Sequence, residues 1–384
     1  CRKKIFKLSY LQFILTMLRL LVVVSTLIIK TSFAQQPVES VVWPPAAPGD
    51  AIKEHFVYGL AVAANGTVLA FSEGRLYAGD ASPHHIVLKR SLDNGKSWQA
   101  SAIVVKSDGT SCYANPTPVV DKKGVIHLLY AENFRNDSSI LYHIISRDNG
   151  TTWSEPSALT RLFDGDPYKR VFHLPGPGHG ILLKNDRLLV QVWHRHSISY
   201  SQLQRKYGVS ALYSDDNGQS WQNSSYVPMS DSLQGNESRL AALTNGDVLM
   251  DARPSGVARQ QKRLISLSRD GGKTWSPFFK SSKAAFTAVD MGLHTFRYGN
   301  RSYLLSSYPL GPGRQNLVLQ ASSNGGRSWH PPKLIAEGKV NYSDIAVLKD
   351  GSVLVLYGRG NPKEVVACRL SGDWIKPHLL GVEN

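Results

Sequence analysis

One eight-residue pattern occurs five times, and it constrains the fold more than any other feature of the chain. The copies are Ser91-Leu-Asp93-Asn-Gly95-Lys-Ser-Trp98, Ser146-Arg-Asp148-Asn-Gly150-Thr-Thr-Trp153, Ser214-Asp-Asp216-Asn-Gly218-Gln-Ser-Trp221, Ser268-Arg-Asp270-Gly-Gly272-Lys-Thr-Trp275 and Ser322-Ser-Asn324-Gly-Gly326-Arg-Ser-Trp329. Successive tryptophans are 55, 68, 54 and 54 residues apart. A period of this length means that one supersecondary unit is copied along the chain, as in a solenoid or a propeller. Each copy is a turn in chemical terms. Asp accepts hydrogen bonds from turn amides, Gly supplies the positive φ, and Trp packs its ring beneath.

Between the boxes lie short runs rich in Val, Ile, Leu and Tyr, such as Val68–Phe71, Ile86–Lys89, Val125–Tyr130, Leu188–Trp193, Asp247–Met250, Tyr303–Ser306 and Val353–Tyr357. Asn-Gly, Asp-Gly and Lys-Gly turns bound them, which is a strand signature, and no long helical period survives beyond residue 34. Four strands in about 55 residues make one propeller blade. The expected fold is therefore all-β, a six-bladed β-propeller whose unboxed ends, 40–70 and 340–375, meet.

Residues 1–34 stand apart. They hold six basic residues and no acid, an apolar stretch Leu20–Ile29, and Ser32-Phe33-Ala34 before Gln35. This is the layout of a signal peptide cleaved after Ala34, and it predicts a secreted or periplasmic protein with no stable membrane span after cleavage. An uncleaved N-terminal anchor is the alternative reading. Removing those six from 44 Lys+Arg leaves 38 against 29 Asp+Glu. The excess is scattered rather than clustered, which favours an anionic ligand over nucleic acid. Cys112 and Cys368 are the two cysteines beyond residue 34, and the sequence leaves their pairing open. Seven Asn-x-Ser/Thr tripeptides, at Asn65, Asn136, Asn149, Asn223, Asn236, Asn300 and Asn341, read as turns.

The boxes resemble the Asp-box repeats of the sialidase (neuraminidase) superfamily, over most of residues 35–384. The resemblance implies a propeller of sialidase type and an exo-α-sialidase-like activity on sialylated or other acidic-sugar glycans, without cofactor or metal. Such a reaction has a particular chemistry. The anomeric carbon carries a carboxylate, so a Tyr assisted by a Glu replaces the usual carboxylate nucleophile, an Asp is the general acid, and arginines hold the substrate carboxylate. Ala70-Phe71-Ser72-Glu73-Gly74-Arg75 is similar to the family's Glu-Gly-Arg strand end, and the following loop offers Asp80 as the acid. Asn236-Glu237 followed by Arg253, then Gly313-Arg314, then Asn341-Tyr342 resemble the stretches with the assisting Glu, two clamp arginines and the nucleophile. Asn115, in Asn115-Pro116-Thr117, and His179, in Gly176-Pro177-Gly178-His179-Gly180, are similar to further substrate-facing positions, as is Arg75.

The chain departs from the family at one place. Lys53–Gly66 contains no Arg where the first clamp arginine is expected; ungapped counting puts Phe56 there, and alignment on Tyr58 puts Gly59 there. Lys53, His55 or a distant arginine are the candidates to compensate. His194 and His196 alternate on a strand-like run without a third ligand at metal spacing, so zinc is not expected. Three readings stand at this point: a retaining glycoside hydrolase, a non-catalytic glycan-binding propeller, and a scaffold propeller with Asp boxes.

Overall fold

The computed structural model describes residues 36–201, 204–255, 262–283, 289–360 and 363–380, and the expected signal at 1–34 lies outside them. The fold is all-β, with antiparallel pairing throughout its sheets. The first unit runs Glu54–Val62, Val68–Arg75, His84–Ser91, Ala102–Val105, and the second Tyr113–Val120, Ile126–Phe134, Ser138–Ser146, Ser157–Ala158. The third has Phe172–Pro175, Leu188–Arg195, Tyr207–Ser214 and Gln222–Asn223, with Ile181–Leu182 added beside its second strand. The fourth runs Gln234–Ala242, Val248–Ser255, Leu264–Ser268, Phe279–Lys280.

The remaining strands form one seven-stranded sheet that the long strand Lys333–Val347 divides in two. Its first half pairs with Gln315–Ser322, completing a fifth unit with Gly292–Tyr298 and Arg301–Pro309. Its second half pairs with Val353–Arg359, starting a sixth unit that continues to Glu364–Leu370. The fourth strand of that unit comes from the other end of the chain: Val38–Trp43 pairs with Glu364–Leu370, Val38 opposite Arg369. The two unboxed ends thus meet by strand pairing.

Burial explains the strand sequences. All eight residues of Val68–Arg75 are buried, because this second strand is covered on both faces, and its first half, Val68–Phe71, reads as an apolar run instead of an alternation. The short outer strand Ser157–Ala158 is exposed. Each box bridges the third and fourth strands of its unit. Asp93 accepts from the amides of Lys96 at 3.1 Å and Ser97 at 2.9 Å and from the Ser97 hydroxyl at 2.6 Å, while Ser91 Oγ accepts from Gly95 N at 2.8 Å. The pattern repeats at Asp148, Asp216 and Asp270, and Asn324 accepts from Ser328 N at 2.9 Å in the fifth box.

The boxes also hold neighbouring units together. Gly150, at φ +81, lies against the second strand of the unit before it, so closely that an added Cβ would stand 2.4 Å from Leu69. The corresponding residue of the first box, Gly95, meets Leu354 of the sixth unit in the same way, at 2.8 Å. Glycine is required there by both backbone and space. Cys112 and Cys368 are both buried and free, so they do not pair. Among the described residues, no helix is long and apolar enough to cross a membrane. Asn223, Asn236 and Asn341 lie in strands rather than turns, which corrects the turn reading for these three tripeptides. Asn223 pairs with Leu212 in the sheet ladder, whereas Asn236 and Asn341 lie at irregularities within their strands.

Candidate active site

The antiparallel alternation determines where chemistry collects. In each unit the first strand leaves one end, the second returns to it, and the third leaves again, so the boxes after the third strands sit at the other end. The first-strand starts and the loops between second and third strands share the near end. There the first strands are interrupted. Register shifts occur between Phe56 and Tyr58, Ala114 and Thr117, Gly235 and Ser238, and Val340 and Ser343. A bulge re-aims a side chain that a regular strand would direct along the sheet face. These four contain Phe56-Val57, Asn115-Pro116, Asn236-Glu237 and Asn341-Tyr342. Val57 and Asn115 have φ of 55° and 56°, costly for a β-branched residue and tolerable for Asn.

The bulges open onto one cavity of about 640 Å³, lined by Phe56, Arg75, Asp80, Asn115, Glu237, Arg253, Arg314 and Tyr342 among others. Its volume suits a small ligand. At its centre Tyr342 Oη donates to Glu237, with Oε1 at 2.6 Å and Oε2 at 2.8 Å. Arg253 Nη1 donates to the same hydroxyl at 3.0 Å and to Glu237 Oε2 at 2.5 Å. Arg314 lies over the Tyr342 ring, 5.3 Å from its centre, and its Nη1 donates to Asn341 Oδ1 at 3.4 Å. Two arginines from two units therefore flank one phenol.

Burial, and then the Glu237 charge, push the Tyr342 phenol well above its ordinary value, while Arg253 and Arg314 pull the other way. Burial disfavours the Arg253 cation, but the adjoining Tyr342 and Glu237 oxygens outweigh it and raise its proton affinity. A phenol in such a place is a poor nucleophile until its proton moves, and Glu237 is the acceptor within reach. The arginines would then neutralise the phenolate.

Asp80 stands on the loop after Val68–Arg75, its side chain 77% exposed and its Oδ1 3.1 Å from Arg75 Nη1. Asn133 Nδ2 holds the loop by donating to the Asp80 carbonyl at 2.9 Å. Arg75 is itself positioned by Glu73, which takes Nε at 3.0 Å and Nη2 at 2.7 Å. Glu73 Oε1 also accepts from the Asn115 backbone N–H at 3.0 Å, so one buried carboxylate links two units beneath the cavity. The Asn115 side chain donates to the Pro175 carbonyl at 2.8 Å.

The structure brings seven of the eight sequence-selected residues to this cavity and leaves one out. His179 is buried elsewhere, with its Nδ1 at 2.8 Å from Asp344 Oδ1 and its ring 5.1 Å from that of His294. Its loop is packed, not open. An added Cβ on Gly178 would fall 1.0 Å from Arg239 Nη1. Arg239 is a fully buried cation that sequence reasoning missed; it is paired with Asp290 and, at 2.8 Å, with Asp344. Its sole advance signal was its proximity to Glu237.

The place of the absent arginine is also resolved. Gly59 has no room for any side chain, its Cβ position lying 2.6 Å from the Pro116 carbonyl oxygen. Phe56 is the residue that faces the cavity. Its ring carries Arg75 at 4.8 Å on one contact and Lys363 Nζ at 4.3 Å on another. Lys363 also pairs with Glu54. Lys363, Trp193, Arg195 and Arg205 line the cavity too and were not selected from sequence, because they are isolated residues outside any repeated or family-like stretch.

The BNR repeat-like domain family matches residues 65–355. A sialidase of Micromonospora viridifaciens is 24% identical over 327 residues, covering 78% of this chain and 49% of its own length. The chain thus spans about half the length of that relative. Among solved structures, a Hadza microbial sialidase superposes with a TM-score of 0.74 at 20% identity, covering 87% of this chain and 68% of the other. Trypanosoma rangeli sialidase, as its covalent intermediate with 2,3-difluorosialic acid, gives 0.71 at 17%, covering 88% and 60%. With its five boxes, its sheet order and this match over most of its length, the chain belongs to the BNR-repeat proteins of the sialidase superfamily.

Proposed function

We propose that this chain is an exported exo-α-sialidase-type glycoside hydrolase that releases a terminal acidic sugar with retention, on a six-bladed propeller whose last blade is closed by Val38–Trp43. The observation that carries the proposal is the Tyr342–Glu237 hydrogen bond at 2.6 Å with Arg253 at 3.0 Å from the phenol oxygen. A hydroxyl between a base and a cation is arranged for deprotonation where a new negative charge can be borne.

The steps follow from these atoms. The sugar carboxylate meets Arg253 and Arg314. Tyr342 Oη attacks the anomeric carbon as its proton passes to Glu237, and Asp80 protonates the departing glycosidic oxygen. A neutral nucleophile avoids repulsion by the neighbouring carboxylate, which is why this pair replaces the usual two carboxylates. Water, deprotonated by Asp80, then releases the sugar from Tyr342, and the Tyr342 oxygen regains its proton from Glu237. The covalent intermediate in the Trypanosoma rangeli relative supports the two-step order.

A second reading, a non-catalytic acidic-glycan binder, is favoured by one specific observation, Phe56 in the place of an arginine. The experiment is incubation with the methylumbelliferyl α-glycoside of N-acetylneuraminic acid, followed by NMR of the first-formed sugar. Release of the α anomer is expected. Binding without release would replace the hydrolase reading by the binding one.

A further inference from the structure

The wall of the cavity contributed by the third unit holds charge that the proposed reaction does not use. Arg195, at the end of Leu188–Arg195, is only 5% exposed and lines the cavity. Its guanidinium carbon lies over the Phe172 ring, 3.7 Å from the ring centre. Among the described residues its guanidinium donates one hydrogen bond, from Nη1 to the His196 carbonyl at 2.9 Å, and forms no ion pair with a carboxylate. Every other deeply buried guanidinium of the cavity named above has an acid beside it: Arg75 has Glu73, and Arg253 has Glu237. Asp137 acts on Arg195 only from a distance, and Arg205 opposes it with like charge.

Among the described residues, two further donors on the same wall lack acceptors. Arg205 Nε and Trp193 Nε1 are both buried without a hydrogen-bond partner, and both residues line the cavity. A buried cation with no counter-charge is costly, and burial accordingly lowers the Arg195 proton affinity to about 10. The cost is removed when a ligand supplies the anion.

We infer that Arg195, with Arg205 and Trp193, forms a second anion subsite, so that the preferred ligand carries a second acidic group in addition to the carboxylate met by Arg253 and Arg314. The inference rests on the proposed acidic-sugar pocket and specifies its substrate class as dianionic. The second group sits either on the released sugar or on the residue to which that sugar is joined.

Calorimetric titration of the whole chain with three ligands tests this. They are the methyl α-glycoside of N-acetylneuraminic acid, the same glycoside sulfated on its exocyclic chain, and N-acetylneuraminic acid joined to a galactose that bears the sulfate. One sulfated ligand should bind about tenfold or more tighter than the unsulfated one, the worth of one charge-assisted hydrogen bond. Which of the two gains identifies the source. Arg195→Gln should bring that ratio near one, and Arg205→Gln should reduce it if Arg195→Gln fails to fold. The inference is overturned if neither sulfated ligand exceeds the unsulfated one, including by all three failing to bind, or if the ratio survives both substitutions. Hydrolysis of the unsulfated fluorogenic glycoside reports on the proposed reaction separately, so either can fail alone.

Discussion

Replacing Tyr342 by Phe removes one oxygen atom from the centre of the cavity and leaves the ring packed against Phe56, whose centre is 4.9 Å away. The lost oxygen donates to Glu237 at 2.6 Å and accepts from Arg253 at 3.0 Å. Hydrogen bonds to charged partners are worth about 1.5–3 kcal/mol each. Glu237 retains Arg253 at 2.5 Å, so neither partner is stranded and the net loss of stability should fall near ~1–2 kcal/mol. In a domain of this size that lowers the melting temperature by roughly 1–3 °C. Turnover should respond on another scale. Loss of the attacking atom should reduce kcat by at least about a thousandfold, some 4 kcal/mol of barrier. Binding of N-acetylneuraminic acid should stay within about threefold of wild type, because Arg253 and Arg314 remain. Thermal melts, release of methylumbelliferone and calorimetry measure the three quantities. A folded Tyr342→Phe protein that turns over within tenfold of wild type would refute the assignment of Tyr342 as nucleophile.

Other consequences can be checked with the same tools. Because burial and Glu237 raise the Tyr342 phenol in the fold, the folded state holds its proton after the unfolded chain releases it; stability from this group is complete below about pH 10 and declines above it. Melting temperature between pH 9 and 11 should therefore fall more steeply in wild type than in Tyr342→Phe, and parallel curves would count against it. Burial pushes Asp270 up, but hydrogen bonds from Thr274 and Ser268 hold it at about 2, so its stabilising share should vanish as pH falls from about 4 through 2. Asp270→Asn should flatten that acid limb and lose at pH 7 about what wild type loses on acidification, with the turn itself kept as at Asn324; an unchanged limb would contradict this. Gly178→Ala must displace Arg239 from Asp290 and Asp344 at a backbone φ of +87°, and should destabilise by about 3–5 kcal/mol or prevent folding. A melt within 2 °C of wild type would show that the core gives way there.

The sequence disclosed the architecture well because a repeated turn is a local object. The Ser-x-Asp-x-Gly hydrogen bonds close within five residues, so pattern alone locates them. Strand runs between the boxes were equally visible, being buried on both faces and hence continuously apolar. Site residues were legible to the degree that they lay in recognisable stretches: Glu237, Arg253 and Tyr342 come from two units and meet at one oxygen. His179 was misplaced because a Gly-Pro-Gly loop reads as a surface turn, whereas here its glycines permit close approach to Arg239. Arg195 was illegible for the opposite reason. Nothing local distinguishes it from a solvated arginine, and its lack of a carboxylate partner is a property of the assembled cavity.

Phe56 shows how one substitution alters a site without dismantling it. An arginine there would join Arg75 and Lys363, both already within 5 Å of the Phe56 ring, and three cations would crowd one wall with Glu54 and Glu73 to balance them. Phe avoids that repulsion and turns the two cations into face-on partners of its ring, each worth about 0.5–2 kcal/mol. The wall thereby becomes apolar at its surface, and each cation behind it stays paired with an acid, Arg75 with Glu73 and Lys363 with Glu54. Arg253 and Arg314 hold their places independently of Phe56, through Glu237 and Asn341 in other units. In the proposed reading, discrimination for acidic ligands therefore rests on the pair of arginines around Tyr342 and not on the residue at position 56. An anion grip lost at position 56 is therefore left to Arg253 and Arg314, since the cations behind Phe56 are already engaged by carboxylates.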